Sequence, residues 1–473
     1  MTLRGRHLGD RRVRVEVVRP RDFVIAPPKR IRRPPSPAAV LILGFLALIV
    51  VGTVILMLPA ASRDGSWTDP LTAIFTATSA VCVNGLVVVD TATHWSTFGH
   101  VAILAMIQIG GFGFMTGSTL LLFLLVGRRT GLRDRILVQA STGTPDLGSV
   151  TAVVRQVAVF TAIAEVTGAI VLAVAFLGRG WDPLSATTSG IFHAISAFNN
   201  AGFDTLGGFR SFSEFVGSPV VLGAIAVLFV VGGLGFAIVG DVVYKRRWQR
   251  LALETKIVLA TSVLLLVGGA AIIALLEWSN PATLGGLPAA DRVTNAVFHS
   301  ATARSAGFSA LNLGRFGEAS LLVLVALMFI GGASGSTAGG IKVNTFSLLL
   351  IAIVSTARGD PSASAFGRRI PHIVVFRAIA VALLFIALGF VVLLGLELTV
   401  GGRLIDLAFE AISALATVGL STGLTPNLPD PGQILVVLAM FVGRMGPLTL
   451  VLALAARARP VSHRPAVETM RIG

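Results

Sequence analysis

Four segments of this chain repeat one pattern, and that recurrence limits the possible folds more than any other feature. Each is a small-residue run of helical character ending in a glycine followed by Leu or Phe. They run from Phe75 to Gly85-Leu86, from Phe192 to Gly202-Phe203, from Phe298 to Gly307-Phe308 and from Phe409 to Gly419-Leu420. The glycine stands ten residues after the Phe, nine in the third copy, and recurs roughly every 110 residues. Four copies of one unit in a very apolar chain imply four walls around one hole.

Composition places those walls in a membrane. Hydrophobic residues make up 54% of the chain and charged residues 13%, roughly half the charged share of a soluble domain. The 473 residues suffice for roughly eight to ten spanning helices with their loops. A formal net charge of +15 would suit nucleic acid, but its placement argues for lipid. A basic leader from Arg4 to Arg33 is followed by clusters at Arg128 to Arg135, Lys245 to Arg250, Arg358 to Arg369 and Arg457 to Arg464. Each lies between apolar runs, or beside the outermost ones, on what would be one side. This is the positive-inside pattern and predicts both termini in the cytoplasm, membrane lipid as a contact and no nucleic-acid partner. The lone Cys82 leaves no disulfide framework within the chain. The leader is too long and Pro-rich for a cleavable signal peptide, and the run from Ala38 to Pro59 is long enough to remain as a helix.

The apolar segments come in pairs: 38–60 with 99–127, 150–178 with 218–244, 254–278 with 319–357, and 372–400 with 433–456. Between the members of each pair lies one copy of the repeat, too short and polar to span a bilayer. The expected fold is an all-α polytopic membrane protein of four tandem helix–pore-loop–helix repeats around a pseudo-fourfold pore axis. The expected organisation is a basic cytoplasmic arm (1–37), repeat 1 (38–127), repeat 2 (150–245), repeat 3 (254–357), repeat 4 (372–457) and a cytoplasmic tail (458–473). Two crossings per repeat make the copies parallel, unlike inverted-repeat transporters. Loop backbone at membrane depth must face protein or a wet cavity, so the loops are expected on the axis.

A cation in such a loop exchanges its water for rings of backbone carbonyls, and glycine lets an extended segment aim successive carbonyls one way. The candidate filter residues are Val83, Asn84 and Gly85; Asn200, Ala201 and Gly202; Ser305, Ala306 and Gly307; and Thr417, Val418 and Gly419. The bland alternative is that such glycines only let helices pack; four at matched positions favour the filter. The half-helices before them are expected to point their partly negative C-terminal ends into the cavity beneath. A second register follows each filter glycine: Gly110-Gly111-Phe112-Gly113, Gly232-Gly233-Leu234-Gly235, Gly331-Gly332-Ala333-Ser334 and Gly443-Arg444-Met445-Gly446. Arg444 replaces the second glycine of its siblings. A charge deep in an apolar helix costs at least ~2.5 kcal/mol, so it needs water or a partner. It is expected to project into the cavity as a barrier to cations, with snorkelling to the surface or structural pairing, for instance with Glu165, as the alternatives. The run Gly331, Gly332, Gly335, Gly339 and Gly340, with Lys342 after it, cannot hold a good helix and reads as a gate, against a static kink. It lacks the Gly-Lys-Ser/Thr ending of a phosphate-binding loop. His193 and His299, at matching places, suit half-helix packing better than metal binding. No nucleophile triad, Cys/His cluster or paired intramembrane carboxylates emerge, so an enzyme is not expected.

Asn84-Gly85-Leu86, Asn200-Ala201-Gly202-Phe203, Ser305-Ala306-Gly307-Phe308 and Thr417-Val418-Gly419-Leu420, with the glycine-rich break and Arg444, resemble the Trk/Ktr/HKT superfamily of K+ transporters. The likeness is greatest to the ion-translocating membrane subunit of bacterial Ktr systems and covers about residues 38 to 457. It implies potassium uptake across a bacterial plasma membrane, with K+ as cargo, Na+ as a candidate co-ion and no covalently bound cofactor. It also implies a homodimer with one pore per protomer, gated by a cytosolic ring of nucleotide-binding regulatory subunits. No Gly-x-Gly-x-x-Gly fingerprint sits in a strand–helix setting here, so nucleotide sensing is expected from that partner. The resemblance assigns the glycines to the filter, 331–340 to the gate and Arg444 to the constriction. Asn84 and Ser305 stand where the family usually has Thr, whereas Gly85, a serine in some sodium-carrying relatives, favours potassium. Two rivals remain: a Na+- or H+-coupled symporter of another solute, with Glu165 as its main titratable candidate, and a non-conducting scaffold.

Overall fold

The computed structural model describes residues 37–127 and 150–446. The basic arm, the Arg128 to Arg135 cluster, the end of the 433–456 apolar segment and the tail lie outside the described residues. Repeat 1 comprises α1 (Pro37–Met57), the short α2 (Pro70–Val81), one turn of helix α3 (Thr91–His94) and the long α4 (Thr97–Gly127). Repeat 2 comprises α5 (Val150–Leu177), α6 (Pro183–Phe198) and α7 (Pro219–Lys245). Repeat 3 has α8 (Leu253–Glu277), α9 (Ala289–Thr302) and a second helix split into α10 (Glu318–Phe329) and α11 (Val343–Ala357). Repeat 4 has α12 (His372–Thr399), α13 (Leu404–Leu415) and α14 (Asp430–Met445). A two-residue-per-strand hairpin, Ser364–Ala365 with Arg368–Arg369, joins repeats 3 and 4.

Six of these helices are long and apolar enough to cross a membrane. The four half-helices that lead into the repeated glycines, α2, α6, α9 and α13, have 12 to 16 residues each, rise only ~18–24 Å and cannot cross a ~30 Å hydrocarbon layer. In repeats 1 and 2 their starts are fixed by local chemistry. Asp69 accepts hydrogen bonds from the N–H groups of Leu71 (2.9 Å) and Thr72 (3.2 Å), and Asp182 accepts one from Ser185 (2.9 Å). A proline follows each aspartate at the first helical position, where its missing N–H is no loss.

Helix neighbours close a cycle. Helix α4 packs on α5 and α6, α7 on α8 and α9, α10 and α11 on α13 and α12, and α14 returns to α2. Repeats 1, 2, 3 and 4 thus surround a common centre in chain order. The aromatic-rich core lies between them: Phe198, Phe212, Phe215, Phe298 and Phe308 form one buried cluster across repeats 2 and 3.

Candidate ion pathway

All four half-helices end at that centre, three of them in the same way. In repeats 1, 2 and 4 the N–H of Asn84, Ala201 and Val418 bonds back to Ser79, Ser196 and Ser413, each at 2.8 Å. The residue before, Val83, Asn200 or Thr417, takes φ of +54°, +59° or +48°. This is the helix-ending motif whose left-handed position is usually glycine. A β-branched residue there is unfavourable by about 1–2 kcal/mol, and strain of this kind collects at functional sites. Repeat 3 closes one residue sooner, with Ala306 N–H on the Thr302 carbonyl at 2.9 Å and Ser305 at φ +76°. That tighter ending accounts for its nine-residue spacing.

The four candidate filter glycines meet. A Cβ on Gly85 would lie 2.6 Å from the Ala201 carbonyl oxygen, one on Gly202 2.9 Å from Gly307 Cα, one on Gly307 2.6 Å from the Val418 oxygen and one on Gly419 2.0 Å from the Asn84 oxygen. The ring therefore runs 85, 202, 307, 419 and back to 85. All four have positive φ, between +69° and +100°, so both space and conformation demand glycine. Backbone of the four strands is thereby brought to one narrow centre, and rings of backbone carbonyls are what a cation's hydration shell can be exchanged for.

Matched side chains hold these strands from behind. Six residues before the glycine (five in repeat 3) stands a hydroxyl: Ser79 accepts from Gly85 N–H at 3.1 Å, while Ser196 and Thr302 donate to the Phe203 and Phe308 carbonyls at 2.7 and 2.8 Å. Ser413, the fourth of the set, has no hydroxyl partner among the described residues. In repeats 2, 3 and 4 the outgoing strands are tied by the residue after the repeat's Phe, whereas Thr76 in repeat 1 has no hydroxyl partner among the described residues. His193 donates Nδ1–H to Ser189 O at 2.7 Å and accepts at Nε2 from Thr205 N–H at 3.3 Å. His299 does the same with Asn295 O and Leu311 N–H, and Glu410 accepts from the Ser421 and Thr425 hydroxyls. The histidines are packing and tethering groups, and among the described residues no His/Cys/Asp/Glu cluster could hold a metal.

On the side away from the C-terminal ends of the half-helices a small cavity is lined by Gly85, Val87, Asp90, Gly202 and Asp204 among others. Desolvation, helped by the neighbouring Asp90 carboxylate and opposed by the Leu206 N–H, pushes Asp204 up to about 6. Asp90 itself caps α3 through Ala92 and Thr93 N–H and accepts from Gly208 and Phe209 N–H, joining repeats 1 and 2.

Beneath the filter lies the 331–340 loop. Its neck is closed by the parallel bridge between Ile330 and Ile341. Helix α7 breaks at Gly235 (φ +75°), and the loop takes up the carbonyls near the break: Ala333 N–H bonds to Gly233 O at 2.8 Å and Thr337 N–H to Gly232 O at 3.3 Å. Arg444 is 1% exposed, donates Nη1–H to Thr337 O at 2.5 Å and stacks 4.3 Å from the Phe114 ring centroid. Lys342 donates to the Ala338 carbonyl and lies 5.2 Å from the same ring. Phe114 thus faces two cations, an attraction worth about 2 kcal/mol or more when desolvated. Glu165 does not pair with Arg444. It accepts from Gln108 (3.2 Å) and from Asn199 (3.0 Å), the cap of α6.

A family model described as TrkH, cation transport protein, matches residues 33–460. The chain belongs to that TrkH family. Relatives of this TrkH-family chain include Ktr system potassium uptake protein B of Bacillus subtilis, 38% identical over 89% of this chain and 93% of the relative. Another is the potassium/sodium uptake protein NtpJ of Enterococcus hirae, 36% identical over 91% and 95%. The crystal structure of the potassium transporter TrkH from Vibrio parahaemolyticus superposes with a TM-score of 0.70 at 18% identity, over 91% of this chain and 86% of that one. The fold is thus the TrkH membrane-protein fold, and the relatives are named as ion transporters, not enzymes.

All twelve candidate filter residues fall in the four converging strands, and Gly331 to Lys342 and Arg444 gather below them. Phe114, Thr337 and Asn199 escaped the sequence reading, as did Arg304, which reaches the Ser262 carbonyl and hydroxyl at 3.2 Å and the Gly331 carbonyl at 3.5 Å. Arg304 immediately precedes a filter residue, a charge inside an otherwise small-residue repeat, and that was the available signal.

Proposed function

We propose that the chain is the ion-translocating subunit of a bacterial potassium-uptake system, conducting K+ down its electrochemical gradient. What carries this is the ring of Gly85, Gly202, Gly307 and Gly419, where each added Cβ would strike the next strand's backbone. The relatives' names, potassium uptake and potassium/sodium uptake, point the same way. An ion enters past Asp90 and Asp204 and exchanges water for main-chain oxygens of the four filter triplets. It then meets the partly negative C-terminal ends of the half-helices. An inward field contributes about 2.3 kcal/mol per charge per 100 mV.

With the 331–340 loop docked, Lys342 and Arg444 stand across the exit and repel the ion. The gate is open when the loop withdraws. Arg246 and Arg358 follow the second helices of repeats 2 and 3 directly, which supports a cytoplasmic loop side and cytoplasmic termini. The proposal includes a homodimer, a cytosolic nucleotide-binding regulatory ring and Na+ as a co-ion. The symporter reading loses ground because its main titratable group, Glu165, is engaged by Gln108 and Asn199. The test is rubidium uptake into liposomes with and without competing sodium. Gly85→Ser, placing a side chain in the ring, is expected to erode discrimination against sodium; unchanged flux ratios count against the filter.

A further inference from the structure

We propose that the polar side chains at the base of the filter are the receptor for the 331–340 loop, with the Ser305 hydroxyl as a relay between gate and filter. This rests on the filter and gate reading above. Three of the four left-handed residues touch the loop. The Thr337 hydroxyl lies 3.0 Å from Asn200 Oδ1. Gly339 N–H donates to Ser305 Oγ at 2.8 Å, and Ser305 Oγ–H donates in turn to the Thr417 carbonyl at 2.9 Å. Gly339 itself is pressed on Thr417: a Cβ there would fall 1.9 Å from Thr417 Oγ1. The fourth, Val83, is apolar and has no polar group to offer the loop.

The relay has a direction. While the loop is docked, its amide polarises the Ser305 hydroxyl, whose proton occupies the Thr417 carbonyl, one of the lowest oxygens available to an ion. Hydrogen bonds in series strengthen one another in a dry site. When the loop leaves, Ser305 loses its donor, the hydroxyl is free to turn, and the Thr417 oxygen is released to the ion. The converse follows by linkage: an ion competing for Thr417 O weakens the loop's hold. Ser305, Asn200 and Thr337 are positioning residues in this scheme. The backbone of the first two lines the pore, while their side chains report the loop's place.

The test uses the full chain in liposomes without regulatory subunits, measuring basal rubidium flux and the labelling rate of Ser334→Cys by a water-soluble thiol reagent. Cys82 is fully buried and serves as the unlabelled background. Ser305→Ala keeps the Cβ and removes the relay; it is expected to raise both flux and labelling about fivefold, the effect of one buried hydrogen bond. Ser305→Thr keeps the hydroxyl, so its labelling rate should rise less than that of Ser305→Ala. Thr337→Val, equal in shape but without the bond to Asn200, should shift both readouts in the same direction and serves if Ser305→Ala fails to fold. Parental flux and labelling in Ser305→Ala or Thr337→Val overturn the relay. If Gly85→Ser still alters the rubidium-to-sodium ratio in that case, the filter stands and the relay alone is wrong; if it does not, both fall.

Discussion

Gly419→Ala puts the converging strands to a quantitative test. The new Cβ would start 2.0 Å from the Asn84 carbonyl oxygen and 3.0 Å from Gly85 Cα, whereas ordinary contact begins near 3.4 Å. Both neighbours are backbone, so no side chain can swing away and the strands of repeats 4 and 1 must part. Gly419 also sits at φ +91°, where alanine is unfavourable by about 1–2 kcal/mol. Overpacking a closed site adds about 1–3 kcal/mol. If the combined effect of about 2–5 kcal/mol falls on ion coordination, rubidium flux drops by a factor between about thirty and a few thousand, at about 1.4 kcal/mol per tenfold. The control is Gly240→Ala on α7, where nothing lies within 4 Å of the added atom and parental flux is expected. Uptake into liposomes with a sodium competitor reads both rate and selectivity, and the melting temperature in detergent checks folding. A Gly419→Ala protein that melts like its parent, passes rubidium at the parental rate and discriminates equally would refute the claim that these strands form the conduit.

Other perturbations separate the parts of the pathway. Arg444→Ala is expected to raise cation flux, and Arg444→Lys to raise it less; a folded alanine variant with unchanged flux removes the barrier role. Deleting residues 333–338 is expected to leave the pore constitutively leaky, and a tight, still regulated pore would refute the gate. Because Asp204 is held up to about 6, its cavity gains a negative charge as pH rises through that value. Flux at low rubidium should therefore climb between pH 5 and 7 and become flat in Asp204→Asn; a parental pH profile in that variant would exclude Asp204 as the titrating group.

Much of the fold is legible because it is local. The Phe-to-glycine spacing marks where each half-helix ends, and the shorter third copy reflects a real difference in how that helix closes, through Thr302 rather than by the longer bond of its siblings. The second glycine register is equally visible but means something different. Cβ atoms on Gly110, Gly232 and Gly443 would fall 2.1, 1.9 and 1.8 Å from the Val81, Phe198 and Leu415 carbonyls, the last helical residues of their own half-helices. Close packing, the bland alternative for the filter glycines, is thus the role of this other set. What stays hidden depends on neighbours far apart in the chain. Thr337 with Asn200, Arg444 with Phe114, and Asn199 with Gln108 each join residues from different repeats, and no periodicity in one sequence reports such pairs.

The departures from fourfold symmetry are where regulation can reside. A symmetric ring of carbonyls has no reason to close, since each strand sees the same neighbours. Repeat 3 breaks its second helix into a loop, repeat 2 kinks α7 at Gly235 and offers carbonyls to that loop, and repeat 4 places Arg444 on Thr337. Repeat 1 supplies Phe114, against which both Arg444 and Lys342 rest. Each repeat contributes a different group to the packing around the 331–340 loop, though all contribute the same backbone to the proposed filter. Among the described residues Arg444 has no ion-pair partner, and two of its nitrogens lack any acceptor. A buried cation satisfied only by a carbonyl and a ring is weakly held compared with one in a salt bridge, since a paired buried charge is much harder to separate. That modest hold suits the proposed gate, which must release.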